Sequence, residues 1–169
     1  LARSEPAPTV LAPNAVLYPR REGDLLVVDR ATHEYQFPIG QGVGLARKIG
    51  ADLALALVVA NRIESPWIHV SDADVVFPRD YFRQVSKKSH HEVSALLYRF
   101  RHRPHSNPRC YEAALQYEMT LRYYVLGLRF AGSPYAFHSI GSTLALNAGA
   151  YAQVRGFPRR TAAEDFYLL

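Results

Sequence analysis

Trp67-Ile68-His69-Val70-Ser71-Asp72-Ala73-Asp74 is the stretch whose reading decides the fold. Four residues, three of them with a strong preference for extended chain, run into a short acidic segment, which reads as a buried strand ending in a loop. In extended chain, residues i and i+2 share a face, with roughly 7 Å between their Cα atoms. Two carboxylates held that close raise one another's pKa unless a cation lies near them. Mg²⁺ and Mn²⁺ are hard ions that accept one or two carboxylates together with substrate phosphates and water. Asp72 and Asp74 are therefore candidate metal ligands and donor-binding residues. The same three residues also suit a solvated turn with helix-capping aspartates.

Working outward from this strand, apolar Ile49, Leu53, Leu57 and Ala60 recur at helical spacing on its N-terminal side. They predict a helix over residues 44–62, with residues 53–60 on its buried face. Residues 25–29 (LLVVD) read as another buried strand, whereas residues 1–24 are rich in proline and poor in periodicity. On the C-terminal side, Pro78 suits the first turn of a helix. Residues 93–100 and 142–146 are strand candidates. Residues 111–130 form a strong helix, whose stripe of Leu115, Met119, Tyr123 and Leu126 reads first of all as core. Residues 155–163 read as a loop, and a helix begins at Glu164. Strands alternating with long helices predict an α/β layered fold with a mostly parallel central sheet flanked by helices. In such folds the ligand lies beyond the carboxyl ends of the strands.

The 169 residues suffice for one domain with a real core. The 49% apolar and 21% charged content is that of a soluble globular chain. No apolar run approaches the roughly 18 residues a membrane span needs. Cys110 is the only cysteine, which excludes an internal disulfide and fits a reducing, cytoplasmic setting. The net charge of +5 attracts anions, among them nucleic acid, acidic lipid and a nucleotide diphosphate. It leaves open peripheral association with the inner face of a membrane.

Further candidates are weaker motifs. Glu164-Asp165, at the start of a helix, holds a carboxylate suited to general-base work, or to capping the helix and balancing its dipole. The run from Gly40 to Lys48 places three glycines and then Arg47 and Lys48 at a helix start, where backbone N–H groups meet anions. It matches neither the dinucleotide-binding fingerprint nor the P-loop, and also reads as a flexible lead into a helix. The basic loop at Arg99, Arg101 and Arg103 carries too few other signs to indicate a nucleic-acid partner. His90 and His91 diverge in any regular structure, and with a single cysteine zinc is not expected.

The ordered set is more specific than its pieces: Gly44-Leu45-Ala46-Arg47, then the strand ending Asp72-Ala73-Asp74, then Gly141-Ser142, Arg155-Gly156-Phe157-Pro158 and Glu164-Asp165-Phe166-Tyr167-Leu168. Over residues 40–169 this resembles glycosyltransferase family 2, the inverting group with a GT-A, Rossmann-like fold. The resemblance implies a single GT-A catalytic domain over residues 1–169, incomplete at both ends. It also implies Mn²⁺- or Mg²⁺-dependent transfer of a sugar from a UDP- or GDP-linked donor to an acceptor, either a saccharide, a lipid or a small molecule. By the same resemblance Asp74 is the metal ligand and Asp72 its neighbour on ribose or metal. Arg47 lies against the nucleotide, Asp165 is the general base, Glu164 orients the acceptor, and Gly141 and Ser142 line the acceptor side. Two alternatives stand beside it. One is a nucleotidyltransferase with a similar acidic metal site; the other is a non-catalytic domain that binds a nucleotide-sugar or a partner chain.

Overall fold

The computed structural model describes residues 6–86 and 93–169, so His90 and His91 lie outside the described residues. The chain divides into two compact units, Leu1–Gly42 and Val43–Leu169.

In the first unit, β1 (Thr9–Ala12), β2 (Ala15–Tyr18) and β3 (Leu25–Val28) form an antiparallel sheet in that order. Pro13-Asn14 turns β1 into β2, and the Asn14 carbonyl accepts from Asp29 N at 2.7 Å while its side-chain amide donates to the Asp29 carbonyl at 3.2 Å. Proline presets the first central turn position and asparagine tolerates the second. The LLVV run is thus a hairpin edge with alternating exposure, rather than a buried strand.

The second unit begins with α1 (Val43–Val59) and continues with β4 (Trp67–Val70), the short α2 (Arg83–Ser86), β5 (Ala95–Leu97), the long α3 (Pro108–Phe130), β6 (Leu144–Asn147) and α4 (Ala148–Gln153). Its sheet has the order β4-β6-β5, and β6 is antiparallel to both neighbours, with Val70 opposite Leu144 and Leu97 opposite the same residue. The mostly parallel central sheet of a GT-A fold is therefore not what the chain forms: two antiparallel three-stranded sheets stand in its place. Helices do separate β4, β5 and β6 along the chain, which is what suggested parallel pairing. The reason for the difference is that β4 and β5 do not pair with each other, since β6 returns between them in the opposite direction.

Period-2 alternation divides this sheet into two faces. Ile68, Val70, Leu144 and Leu146 join Ala51, Ala148, Tyr151 and Phe157 on one side, under α1 and α4. Trp67, Ala145 and Val85 join Leu96 and Tyr98 on the other. α1 meets the sheet through Ala51, Ala54, Leu55 and Val58, so its packing face is rotated away from the expected Ile49, Leu53, Leu57 and Ala60 stripe. Asn61, in left-handed conformation with φ 54°, ends the helix. Asn147 finishes β6 and caps α4, its Oδ1 accepting from Gly149 N at 2.9 Å and Ala150 N at 3.3 Å.

α3 starts three residues earlier than its apolar pattern, because Asn107 caps it and Pro108 fits its first turn. Val125 is its one buried residue. Leu115, Met119, Tyr123 and Leu126 are exposed, so the stripe expected in the core faces solvent. The helix is tethered through Glu118, which accepts from His102 N at 2.8 Å, His102 Nδ1 at 2.9 Å and Arg122 at 2.6 Å. The helix expected from Glu164 is a run of turns instead.

Leu144 is completely buried and Met119 is 69% exposed. Leu144→Ala should cost about 2–5 kcal/mol in urea unfolding, and Met119→Ala less than about 0.5 kcal/mol. The His102 N–H, then Arg122 and the His102 ring, hold the Glu118 carboxyl down from 4.5 to about 2. A depressed carboxylate contributes stability above its unfolded pKa and loses it as pH falls through the folded one. Glu118→Gln should therefore remove part of the acid-side loss of stability between 4.5 and about 2. An unchanged acid limb, measured by urea unfolding at stepped pH, would rule the tether out.

Candidate functional site

Arg47 is the centre of the site. It sits on the first turns of α1, with its side chain 12% exposed. One guanidinium nitrogen, NH2, donates to Asp72 Oδ1 at 2.7 Å, just past the end of β4. The other, NH1, donates to Glu164 Oε1, 117 residues away in sequence. Glu164 is 2% exposed, and Arg47 is its one salt-bridge partner among the described residues. Burial alone would pull the Arg47 pKa down, but the hydrogen bonds and charges of Asp72 and Glu164 outweigh it and raise the pKa. The guanidinium stays charged throughout. Its Nε is buried and has no hydrogen-bond partner among the described residues.

Two glycines make room for this arrangement. At Gly141 a Cβ would lie 2.1 Å from Arg47 NH1, inside any contact distance. At Gly44 a Cβ would lie 2.8 Å from the Arg160 carbonyl and 3.3 Å from Glu164 Cγ. Gly44, in the first turn of α1, thus serves close packing against the 160–164 segment rather than an open cradle of N–H groups. Arg47, Asp72, Gly141 and Glu164 come together from four separate stretches of chain.

The remaining expected residues lie around this cluster. Asp72 and Asp74 are not in extended chain: Val75 N donates to the Asp72 carbonyl at 3.4 Å, which closes a turn with Ala73 and Asp74 at its centre. Asp74 is exposed. Asp165 is half-buried, and its Oδ1 accepts from Phe166 N at 2.8 Å. Ser142 is half-buried in the short 3₁₀ turn Gly141–Thr143 that leads into β6. Among the described residues, no group of three or more His, Cys, Asp or Glu is arranged to hold a metal ion. A divalent cation here would rest on Asp72 and Asp74 and on oxygens brought by a ligand. That donor set suits Mg²⁺ or Mn²⁺, because the Asp72 Oδ2 and the exposed Asp74 carboxylate are not claimed by Arg47.

A second polar group went unread in the sequence. Tyr151 OH donates to Asp52 Oδ1 at 2.8 Å and accepts from Phe157 N at 3.2 Å. Lys48 Nζ bonds Asp52 Oδ2 at 3.1 Å and the Arg155 carbonyl at 3.3 Å. Lys48, a possible anion contact by its place beside Arg47, is therefore spent on holding α1 to the segment after α4. The i, i+4 spacing of Lys48 and Asp52 was the available signal; Tyr151 carries none. On the opposite sheet face, His69 packs with Tyr81, Phe82 and Tyr98 at ring distances of 5.0, 4.9 and 6.2 Å. Burial lowers the His69 pKa, which keeps the ring neutral near pH 7. A cleft of about 570 Å³ opens there between Glu64, Ser65, Trp67, His69, Phe82 and Val85. None of the Arg47 cluster lines it.

No family model, curated protein or solved structure matches this chain.

Arg47→Ala leaves Glu164 buried without its counter-charge, and should destabilise the fold by about 3–5 kcal/mol. Gly141→Ala should also destabilise, by displacing the guanidinium. The two losses should fall well short of additive in the double variant, since both break one contact. Full additivity in denaturant unfolding would show that Gly141 and Arg47 do not share this contact.

Proposed function

We propose that the chain transfers a sugar from a UDP- or GDP-linked donor to an acceptor hydroxyl, with Mn²⁺ or Mg²⁺ and with inversion at the anomeric carbon. The observation that carries this reading is the Arg47 bridge, which gathers a cation, the Asp72 carboxylate at the end of β4 and the segment holding Asp165. The order of motifs along the chain supplies the rest of the support.

The chain's own residues would divide the work as follows. Asp72 and Asp74 would hold the divalent ion, whose charge would offset that of the departing diphosphate. Arg47 supplies a permanent positive charge beside that carboxylate pair. Glu164, buried and bound to Arg47, fixes the guanidinium; it is a positioning residue. Asp165 takes the proton from the acceptor hydroxyl. The acceptor oxygen then bonds to the anomeric carbon as the carbon–phosphate oxygen bond breaks, and the nucleoside diphosphate leaves. Attack opposite the leaving group inverts the centre. Gly141 and Ser142 border the acceptor side. The single cysteine fits a reducing, cytoplasmic setting for this reaction. Among the described residues, no helix is long and apolar enough to cross a membrane.

One observation favours a second reading, a non-catalytic domain that binds a nucleotide-sugar. Asp72 and Glu164 both spend an oxygen on Arg47, which is what a purely structural clamp would do.

Isothermal titration with UDP, GDP, UDP-glucose and GDP-mannose, with and without Mn²⁺, separates these readings. Metal-dependent binding should be lost in Asp74→Asn. Asp165→Asn should keep donor binding within a few-fold and lower transfer by about 10²–10⁴. Normal turnover by Asp165→Asn removes that residue from the mechanism. Metal-dependent binding with no turnover in the unaltered chain establishes the second reading instead.

A further inference from the structure

α3 carries a row of apolar side chains that nothing in its unit covers. Leu115, Met119, Tyr123, Leu126 and Phe130 recur at spacings of four, four, three and four, which places them on one face. Their exposures are 40%, 69%, 79%, 58% and 95%. At 1.5 Å per residue the row is roughly 22 Å long. Its tether runs through Glu118, which shares the face of buried Val125, and through Arg122, which flanks the row and reaches the Phe100 carbonyl. That contact fixes which face looks outward.

Charge decides what could cover it. From Arg99 to Phe130 the chain has six arginines against Glu112 and Glu118, a balance of +4 within a total of +5. Glu118 is already paired with Arg122. Arg99, Arg101, Arg103, Arg109 and Arg129 are exposed, and none forms a salt bridge among the described residues. Arg109 and Arg129 lie near the two ends of the row. Glu112, one turn before Leu115, is the acidic residue that falls on the same side, and it weakens attraction at that end.

We propose that this face of α3 lies on an anionic lipid surface, with the apolar row in the acyl boundary and the arginines among the phosphates. A folded surface that presents an apolar row between basic flanks binds in the plane of the interface and does not span it. Tyrosine and phenylalanine have amphipathic or flat rings that suit the headgroup level. A second copy of the chain is a poorer occupant. Antiparallel pairing of two α3 rows brings Arg109 of one against Arg129 of the other, and parallel pairing brings each arginine against itself. A self-complementary interface does not meet like charge at both ends.

The test is co-sedimentation of the whole chain with phosphatidylcholine vesicles and with vesicles containing about one third phosphatidylglycerol. Binding to the anionic vesicles alone, weakened by salt, is expected. Tyr123→Glu with Leu126→Glu should abolish it, and Arg109→Glu with Arg129→Glu should reduce it at least about tenfold. All four positions are exposed, so circular dichroism should show unchanged folding. No binding to anionic vesicles overturns the proposal. So does binding that survives Tyr123→Glu with Leu126→Glu, which would make the attraction a matter of charge alone. A dimer in sedimentation equilibrium that Tyr123→Glu dissolves overturns it in favour of a second copy.

Discussion

Everything in the larger unit hangs on β6 being the middle strand. Its residues Leu144, Ala145 and Leu146 are 0%, 0% and 3% exposed, against 5%, 4% and 7% for Trp67, Ile68 and Val70 of β4. Both edges are consumed by pairing, with β4 on one side and β5 on the other. Both faces are covered, Leu144 and Leu146 by the α1 and α4 cluster and Ala145 by Trp67 and Val85. A strand so enclosed cannot slip by one residue without turning two leucines to the wrong face. Fixed register in β6 in turn fixes Gly141, four residues upstream of Ala145, and through it the space Arg47 occupies.

The Arg47 bridge is then a consequence of close packing as much as of charge. A buried ion pair repays its desolvation only when geometry is good and the remaining atoms are satisfied. Here the geometry is enforced by two positions without a Cβ, Gly44 against the 160–164 segment and Gly141 against the guanidinium. What this secures is placement: a permanent cation beside the turn that carries Asp72 and Asp74. The clamp explains why Glu164 is buried while its neighbour Asp165 remains half-exposed. Adjacent carboxylates of identical charge are thereby given different surroundings, one closed to solvent and one open to it.

Local features of this chain could be read from its residues, and long-range ones could not. The bounds of β4 and the existence of α1 and α3 follow from apolar runs and helical spacing, because those signals are written within a few residues. The start of α3 was also legible in Asn107-Pro108, a capping pair that lies outside the apolar pattern. The hairpin of β1 and β2 was hidden by the prolines around it, although Pro13-Asn14 marks the turn. Strand direction escaped because alternation of strands with helices says that they are separated along the chain, and nothing about which strand returns between which others. The stripe of Leu115, Met119, Tyr123 and Leu126 taught the same lesson on a helix. Spacing shows that a face exists, but only the packing shows whether anything covers it. As for the site, residue types proposed Arg47, Asp72 and Glu164 singly, and Gly141 entered only through the family resemblance. The contact between Arg47 and Glu164 spans 117 residues, and no local pattern encodes it.

The basic balance of the chain also takes on meaning only once its charges are located. A net +5 spread evenly over a surface would indicate little beyond solubility. Arginine here serves two distinct ends. Arg47 is withdrawn from solvent and bound by two carboxylates, so it contributes nothing to the field outside. Arg99, Arg101, Arg103, Arg109 and Arg129 are exposed within a single stretch that also carries the uncovered apolar row. Positive charge and apolar surface on one helix and its leading loop reinforce each other at an anionic interface: the charge raises local concentration over a Debye length, and the side chains give a hold that salt does not screen. Neither alone would suffice, since lone surface arginines are solvated and a lone apolar row would invite self-association. Their coincidence on α3 is what distinguishes this face from the rest of the unit.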